Sequence, residues 1–363
     1  QNDLVSKLVS AWEKKNAKVA RAGGVSLMAL SLAACGSDDD TAATDTAATD
    51  TTTVTTTPAA STTSTLTAGI DSVAGGAGDD IINAGLTSAG QQTLTALDSL
   101  KGGDGTDTIA VVMKSNATPN SDSVEVYTIT ATAAATLSML GSTGVTSITN
   151  TASSNTLTVS NVALGTTLTL GNTAQGGTFN FAAADVAGTA DAATINIESV
   201  TGGALTVGAG IETLTLNSGG SANTLGSLSS GATTLNITGA QNMTVTGNAT
   251  ATTIDASAAT GKITVTSDNT KAVSVTTGSG VDAVTMTGSN VLTDTVKLGA
   301  GNDKVTFTAT LDDADIVDGG DGTDTLVGVD AEIRGLTSLA TTSNLTNFET
   351  VQISDRLGGN LDV

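Results

Sequence analysis

Four consecutive segments of the chain carry their apolar residues in the same columns. In TIDASAATGKITVTSDN (253–269), SVTTGSGVDAVTMTGSN (274–290), TVKLGAGNDKVTFTATL (295–311) and IVDGGDGTDTLVGVD (316–330), Ile254, Val275, Val296 and Val317 stand 21 residues apart. So do Ile263, Val284, Val305 and Leu326. Within a segment polar and apolar residues alternate, as in Val284-Thr285-Met286-Thr287, which is the period of a strand with one buried face. A fixed period of this length marks a repeat architecture in which each unit buries its apolar face against the next. The pattern predicts an all-β fold: a parallel β-solenoid, of β-roll or β-helix type, with coils of about 21 residues. Inward aliphatics stack from coil to coil. Outward threonines form ladders through Thr264, Thr285 and Thr306 and through Thr266, Thr287 and Thr308.

Upstream the same theme continues in looser register. Leu214 and Leu235 keep the separation of 21, and TLTVS (156–160), TTLTL (166–170) and TINI (194–197) read as further strands. Helical periodicity is nearly absent after residue 90, and at the start of the chain Leu4, Leu8, Val9 and Trp12 predict an N-terminal helix. The run GGVSLMALSLAAC that follows is too short to span a bilayer, and with its basic flank and small-residue exit it forms a secretory signal. Its end, Leu32-Ala33-Ala34-Cys35, resembles a bacterial lipobox, which implies lipidation of Cys35 and a membrane tether. The stretch SDDDTAATDTAATDTTTVTTTPAASTTST has almost nothing to bury and predicts a disordered, Thr/Ala-rich tether. The expected organisation is an export segment (1–35), the tether (36–66), a first acidic-turn region (67–110), a Thr/Gly-rich β-repeat region (111–250) and the regular solenoid (251–363). The final GGNLDV stops inside what reads as a strand, so the chain is expected to be a fragment of something longer.

Composition agrees with closely stacked strands. The 363 residues include 42 Gly, 2 Pro and no His, with threonine at about a fifth. One cysteine excludes an internal disulfide framework, and the lack of His removes the commonest zinc ligand and acid–base catalyst. From Cys35 onward 8 basic residues face 33 acidic ones. A body that acidic repels nucleic acid and anionic lipid, and its clustered aspartates favour recruitment of cations.

The aspartates are concentrated in the turns between the two apolar columns. These read GSGVD, GAGND and GGDGTD in successive rows, so Asp282, Asp303 and Asp324 fall 21 apart, with Gly280, Gly301 and Gly322 two residues before them. Nearer the tether, GIDSVAGGAGDDIIN places Asp71 and Asp80 nine residues apart, and Asp107 follows Asp80 by 27. Hard cations take several oxygens from carboxylates and backbone carbonyls, and glycine lets a backbone aim those carbonyls inward. One turn supplies part of such a sphere; two stacked turns complete it.

The segments GGAGDDIIN (75–83), GGDGTDTIA (102–110) and GGDGTDTLV (319–327) match GGxGxDxUx, where U is a large apolar residue. They resemble the calcium-binding nonapeptide repeats of RTX proteins. That resemblance implies a parallel β-roll with Ca²⁺ held between stacked turns by the aspartate carboxylate and backbone carbonyls. Carried over residue by residue, it implies Asp80, Asp107 and Asp324 as ligands in full motifs, with Gly76, Gly78, Gly103, Gly105, Gly320 and Gly322 shaping those turns. Asp71, Asp282 and Asp303, with Gly280 and Gly301, match in weaker motifs. The row at 253–269 has AATGK at that place, so its turn is not expected to bind. An EF-hand is not expected at 102–110, because no acidic residue closes a twelve-residue loop that starts at Asp104.

These readings point to a non-enzymatic, calcium-binding structural protein, secreted or at the outer surface of a Gram-negative cell. The layout is similar to RTX-type surface-layer and adhesin-like proteins, which implies self-assembly into an array or contact with surface glycan or lipid. The RTX resemblance implies type I export of a chain left unfolded by low cytosolic calcium, whereas the lipobox implies another route. One alternative is an adhesin that meets ice or glycan through threonine ladders; another is the non-catalytic part of a larger secreted RTX enzyme. No HExxH exists, and GxSxG would lack a histidine partner.

Overall fold

The computed structural model describes residues 60–247, 250–288, 292–308, 310–336 and 344–355. The expected N-terminal helix, the export segment with Cys35 and all of the tether up to residue 59 lie outside the described residues.

The chain winds as a parallel β-solenoid. One face is a continuous 14-stranded sheet in strict sequence order, called here the long sheet, from Thr63–Thr65 to Leu345–Thr346. The opposite face is built from shorter parallel sheets of 3, 5 and 7 strands. Alternation decides which side chains face inward. Ile82, Ile109, Tyr127, Ile148, Leu168, Ile195, Leu216 and Ile237 form one inward file, each paired with the next coil's member and almost fully buried. Each such aliphatic contributes about 1.5–3 kcal/mol on leaving water, and no member can do so without its neighbours. The only tyrosine joins the file because its hydroxyl is satisfied by Ser121 (2.7 Å) and Ser142 (3.2 Å).

Coil length varies along the axis. At the start, equivalent residues Thr62, Asp80, Asp107 and Glu125 are separated by 18, 27 and 18 residues, all multiples of nine. Further on the step is 21, as between Asn196 and Asn217 or Asp294 and Asp315. The upstream strands follow their predicted places, and Leu214 lies opposite Leu235.

Two expectations change. Thr63–Thr65 pairs with Ile81–Asn83, and Leu66 is buried, so the first rung lies inside the stretch read as tether. Alternating Thr-Ser-Thr followed by one aliphatic is enough once a neighbouring strand supplies the pairing. The column Ile254, Val275, Val296, Val317 holds in full, but Val265 rather than Ile263 lies opposite Val284. The threonine ladder accordingly runs Thr266, Thr285, Thr306. The AATGK turn is two residues longer than the acidic turns beyond it, and a slip of two keeps every side chain on its own face.

Candidate metal centre

Each glycine-rich turn ends on an aspartate that immediately precedes a strand, two positions before that strand's first inward aliphatic: Asp80 before Ile82, Asp107 before Ile109, Asp324 before Leu326. This position places the carboxylate under the turn, against the backbone of the previous coil. The N–H of Asp80 donates to Asp107 Oδ1 (2.7 Å). The N–H groups of Asp282 and Asp303 donate to Asp303 Oδ1 and Asp324 Oδ1 (both 2.7 Å), and the N–H of Ile263 donates to Asp282 Oδ1 (2.6 Å). The aspartates thus form ladders in which one carboxylate oxygen is used for stacking.

The second oxygen is different. Oδ2 of Asp107, Asp282, Asp303 and Asp324 is buried with no hydrogen-bond partner. At Asp282 the Thr277 hydroxyl donates to the Leu298 carbonyl (2.6 Å), while Thr277 and the Gly278 N–H lie close enough to the carboxylate to offset part of the effect of its burial. Asp80 is the exception, since its Oδ2 accepts the N–H of Gly76 (2.7 Å).

Backbone oxygens of neighbouring coils crowd the same turns. Gly76 pairs with Gly103 and Gly301 with Gly322 across adjacent coils. A Cβ added to Gly103, Gly105, Gly301, Gly320 or Gly322 would run into the carbonyl of Gly76, Gly78, Gly280, Gly299 or Gly301 respectively. A Cβ on Gly75 would meet both the Gly102 carbonyl oxygen and Asp80 Oδ2, and one on Gly319 both the Asn347 carbonyl oxygen and Asp324 Oδ2. Acceptors meet acceptors there.

The electrostatics follow from that crowding. Burial raises the pKa of Asp107, Asp282 and Asp324, and pushes Asp303 up to about 6 with help from the charges of Asp282 and Asp324. Asp80 goes the other way, held down first by the Thr62 hydroxyl and then by the Thr62 N–H. A buried carboxylate oxygen without a donor costs free energy unless a cation supplies the missing charge. Among the described residues no three His, Cys, Asp or Glu side chains gather into a metal cluster. The oxygens available are one carboxylate per turn plus carbonyls, a donor set that suits a hard cation.

Two segments, 65–86 and 310–328, match a family model described as the RTX calcium-binding nonapeptide repeat (4 copies). This chain carries RTX calcium-binding nonapeptide repeats. A search of curated proteins found no match. The RTX segments include Asp80 and Asp324, while the turns ending on Asp107, Asp282 and Asp303 lie outside them with the same ladder geometry.

Asp71 lies at another corner of the coil, where it leads into Ser72–Gly76 and accepts the N–H of Thr67 (2.8 Å). That corner belongs to a second acidic ladder that motif reading missed. The N–H of Asp71 donates to Asp98 Oδ1 (3.0 Å), both ahead of short-sheet strands; a further ladder at the opposite edge, ahead of long-sheet strands, has Val273 donating to Asp294 and Asp294 to Asp315 (both 2.8 Å). The signal was present as acid-x-aliphatic, in Asp98-Ser99-Leu100, Asp294-Thr295-Val296 and Asp315-Ile316-Val317. It lacks the glycines that draw attention to the RTX turns.

Proposed function

We propose that this chain is a non-enzymatic structural protein of the cell exterior whose solenoid is completed by calcium. Asp80, Asp107, Asp282, Asp303 and Asp324 are the carboxylate ligands in this reading, and the carbonyls of Gly76, Gly78, Gly280 and Gly301 are the backbone ones. The observation that carries it is the set of buried Oδ2 atoms with no donor, repeated at four glycine turns. Calcium neutralises the stacked charges, and binding to the folded chain alone stabilises it by mass action.

RTX repeats, an acidic body and a stiff rod of stacked coils favour secretion by a Gram-negative cell and a role in a surface layer or surface fibre. Among the described residues no helix is long and apolar enough to cross a membrane. A chain that folds only where calcium is plentiful crosses the cell interior unfolded and hardens outside it.

The test is thermal unfolding followed by circular dichroism in EGTA and in millimolar calcium. Calcium should raise the melting temperature or the β content strongly; identical melts would overturn the reading.

A further inference from the structure

The stacked acidic turns end twice, and each time on a coil that lacks the repeat glycines. After Asp107 comes Ser123-Val124-Glu125, and after Asp324 comes Asn347-Phe348-Glu349. Glu125 Oε2 accepts the N–H of Asp107 (2.9 Å), and Glu349 Oε2 accepts that of Asp324 (2.7 Å). Ser123 (φ 53°) and Asn347 (φ 60°) both hold the left-handed conformation that side-chain-bearing residues rarely adopt. Buried Val124 and core-packed Phe348 anchor the next position in each case. The carbonyls aimed by this unusual backbone are the ones that approach the unused carboxylate oxygens. Beside Gly102 the Ser123 carbonyl oxygen converges with Asp107 Oδ2, and beside Gly319 the Asn347 carbonyl oxygen converges with Asp324 Oδ2. Both Oδ2 atoms are buried and lack a donor.

We propose that each of these two coils closes a divalent-cation site of its own, Asp107 with the Ser123 carbonyl and Asp324 with the Asn347 carbonyl. Calcium binding thereby extends one coil past each run of repeats. This rests on the glycine turns being calcium sites. A third glutamate coil gives the contrast. Glu212 Oε2 accepts the N–H of Asp191 (2.9 Å) after Gly210 in the left-handed region, yet Asp191 Oδ2 is engaged by the N–H of Gly188 (3.0 Å). The glutamate step is therefore a general stacking device, and the free Oδ2 with a convergent carbonyl makes the site.

Calcium stoichiometry of the whole chain, measured by native mass spectrometry, tests this. Ser123→Val and Asn347→Val oppose a positive φ and turn the carbonyl away, so each should lose one ion per chain. Ser123→Gly and Asn347→Gly should keep the wild-type count. Asp107→Asn retains the acceptor for the Asp80 N–H and should also lose one ion, as the underlying reading expects too; Ser123→Ala and Asn347→Ala, which oppose the positive φ more mildly, keep the test decisive if a valine variant fails to fold. An unchanged count in Asp107→Asn, or in a folded Ser123→Val, overturns the proposal. A wild-type chain that binds no calcium overturns the underlying reading along with it.

Discussion

The heptapeptide GGDGTDT stands at 102–108 and again at 319–325, and the two copies sit on opposite edges of the long sheet. The first leads into a long-sheet strand, Thr108–Met113. The second leaves the long-sheet strand Ile316–Asp318 and enters Thr325–Gly328 on the opposite face. Around the first copy coils advance by multiples of nine; up to the second they advance by 21, and the coil after it by 25. The motif therefore specifies a tight turn, a stacked aspartate and the strand that follows. It does not specify which edge of the solenoid the turn occupies. Edge is set by the phase at which a motif enters the winding, and the variable-length coils between the two blocks reset that phase.

If the local device is the same, glycine substitution should hurt both blocks alike. Gly322 (φ 140°) abuts the Gly301 carbonyl, and Gly103 (φ 112°) abuts the Gly76 carbonyl. Gly322→Ala and Gly103→Ala should each destabilise the calcium-bound chain by about 2–4 kcal/mol, from backbone strain plus displacement of the preceding turn. Denaturant midpoints in calcium measure this. A large effect in one variant and none in the other would break the equivalence of the two blocks.

The 21-residue columns made the solenoid readable, because inward aliphatics must stack if short strands are to bury anything. Asp282, Asp303 and Asp324 were legible for the same reason: a stacked ladder repeats at the period of the coil. Register over 253–269 was not. A slip of two residues leaves the inward–outward alternation intact, so Ile263 and Val265 are equally acceptable opposite Val284 until the turn length is known. Glu125 and Glu349 were hidden because glutamate reaches the same N–H from a turn without glycine. Ser123 and Asn347 act through carbonyl groups, which every residue has, and only their positive φ sets them apart.

A smaller difference separates the blocks under acid when calcium is absent. The carboxyl of Asp303 titrates near 6 in the fold, above its ordinary value of 3.8. Folding therefore favours its protonated form: the penalty is fully present above pH 6 and disappears as pH falls towards 3.8. In EGTA the chain should gain stability between pH 7 and pH 5, and Asp303→Asn should flatten that gain. Asp80, lowered by Thr62, contributes in the opposite sense, with stability present above 3.8 and lost as pH falls through its depressed value. Urea midpoints at several pH values in EGTA check the sign; a calcium-free chain weakest at pH 5 would contradict it.

The smallest effect belongs to Asp71, and it separates the two acidic ladders from each other. Asp71 and Asp80 stand on either side of one strand, Ser72–Gly76, and each lies two positions before an aliphatic of the strand that follows it, Val73 or Ile82. Asp71 is satisfied within its own corner: Thr67 donates its N–H to Oδ2 (2.8 Å) and its hydroxyl to Oδ1 (3.0 Å). Among the described residues no glycine holds a neighbouring carbonyl and the Asp71 carboxylate together at its Cβ position. Asp71→Asn keeps one acceptor for Thr67 and should cost about 1 kcal/mol or less, the scale of a partly exposed hydrogen bond. It should leave the number of bound calcium ions unchanged, whereas Asp324→Asn should lower it. Loss of an ion from Asp71→Asn would show that a cation needs only the acidic ladder, and that the glycine turns add geometry without adding the site.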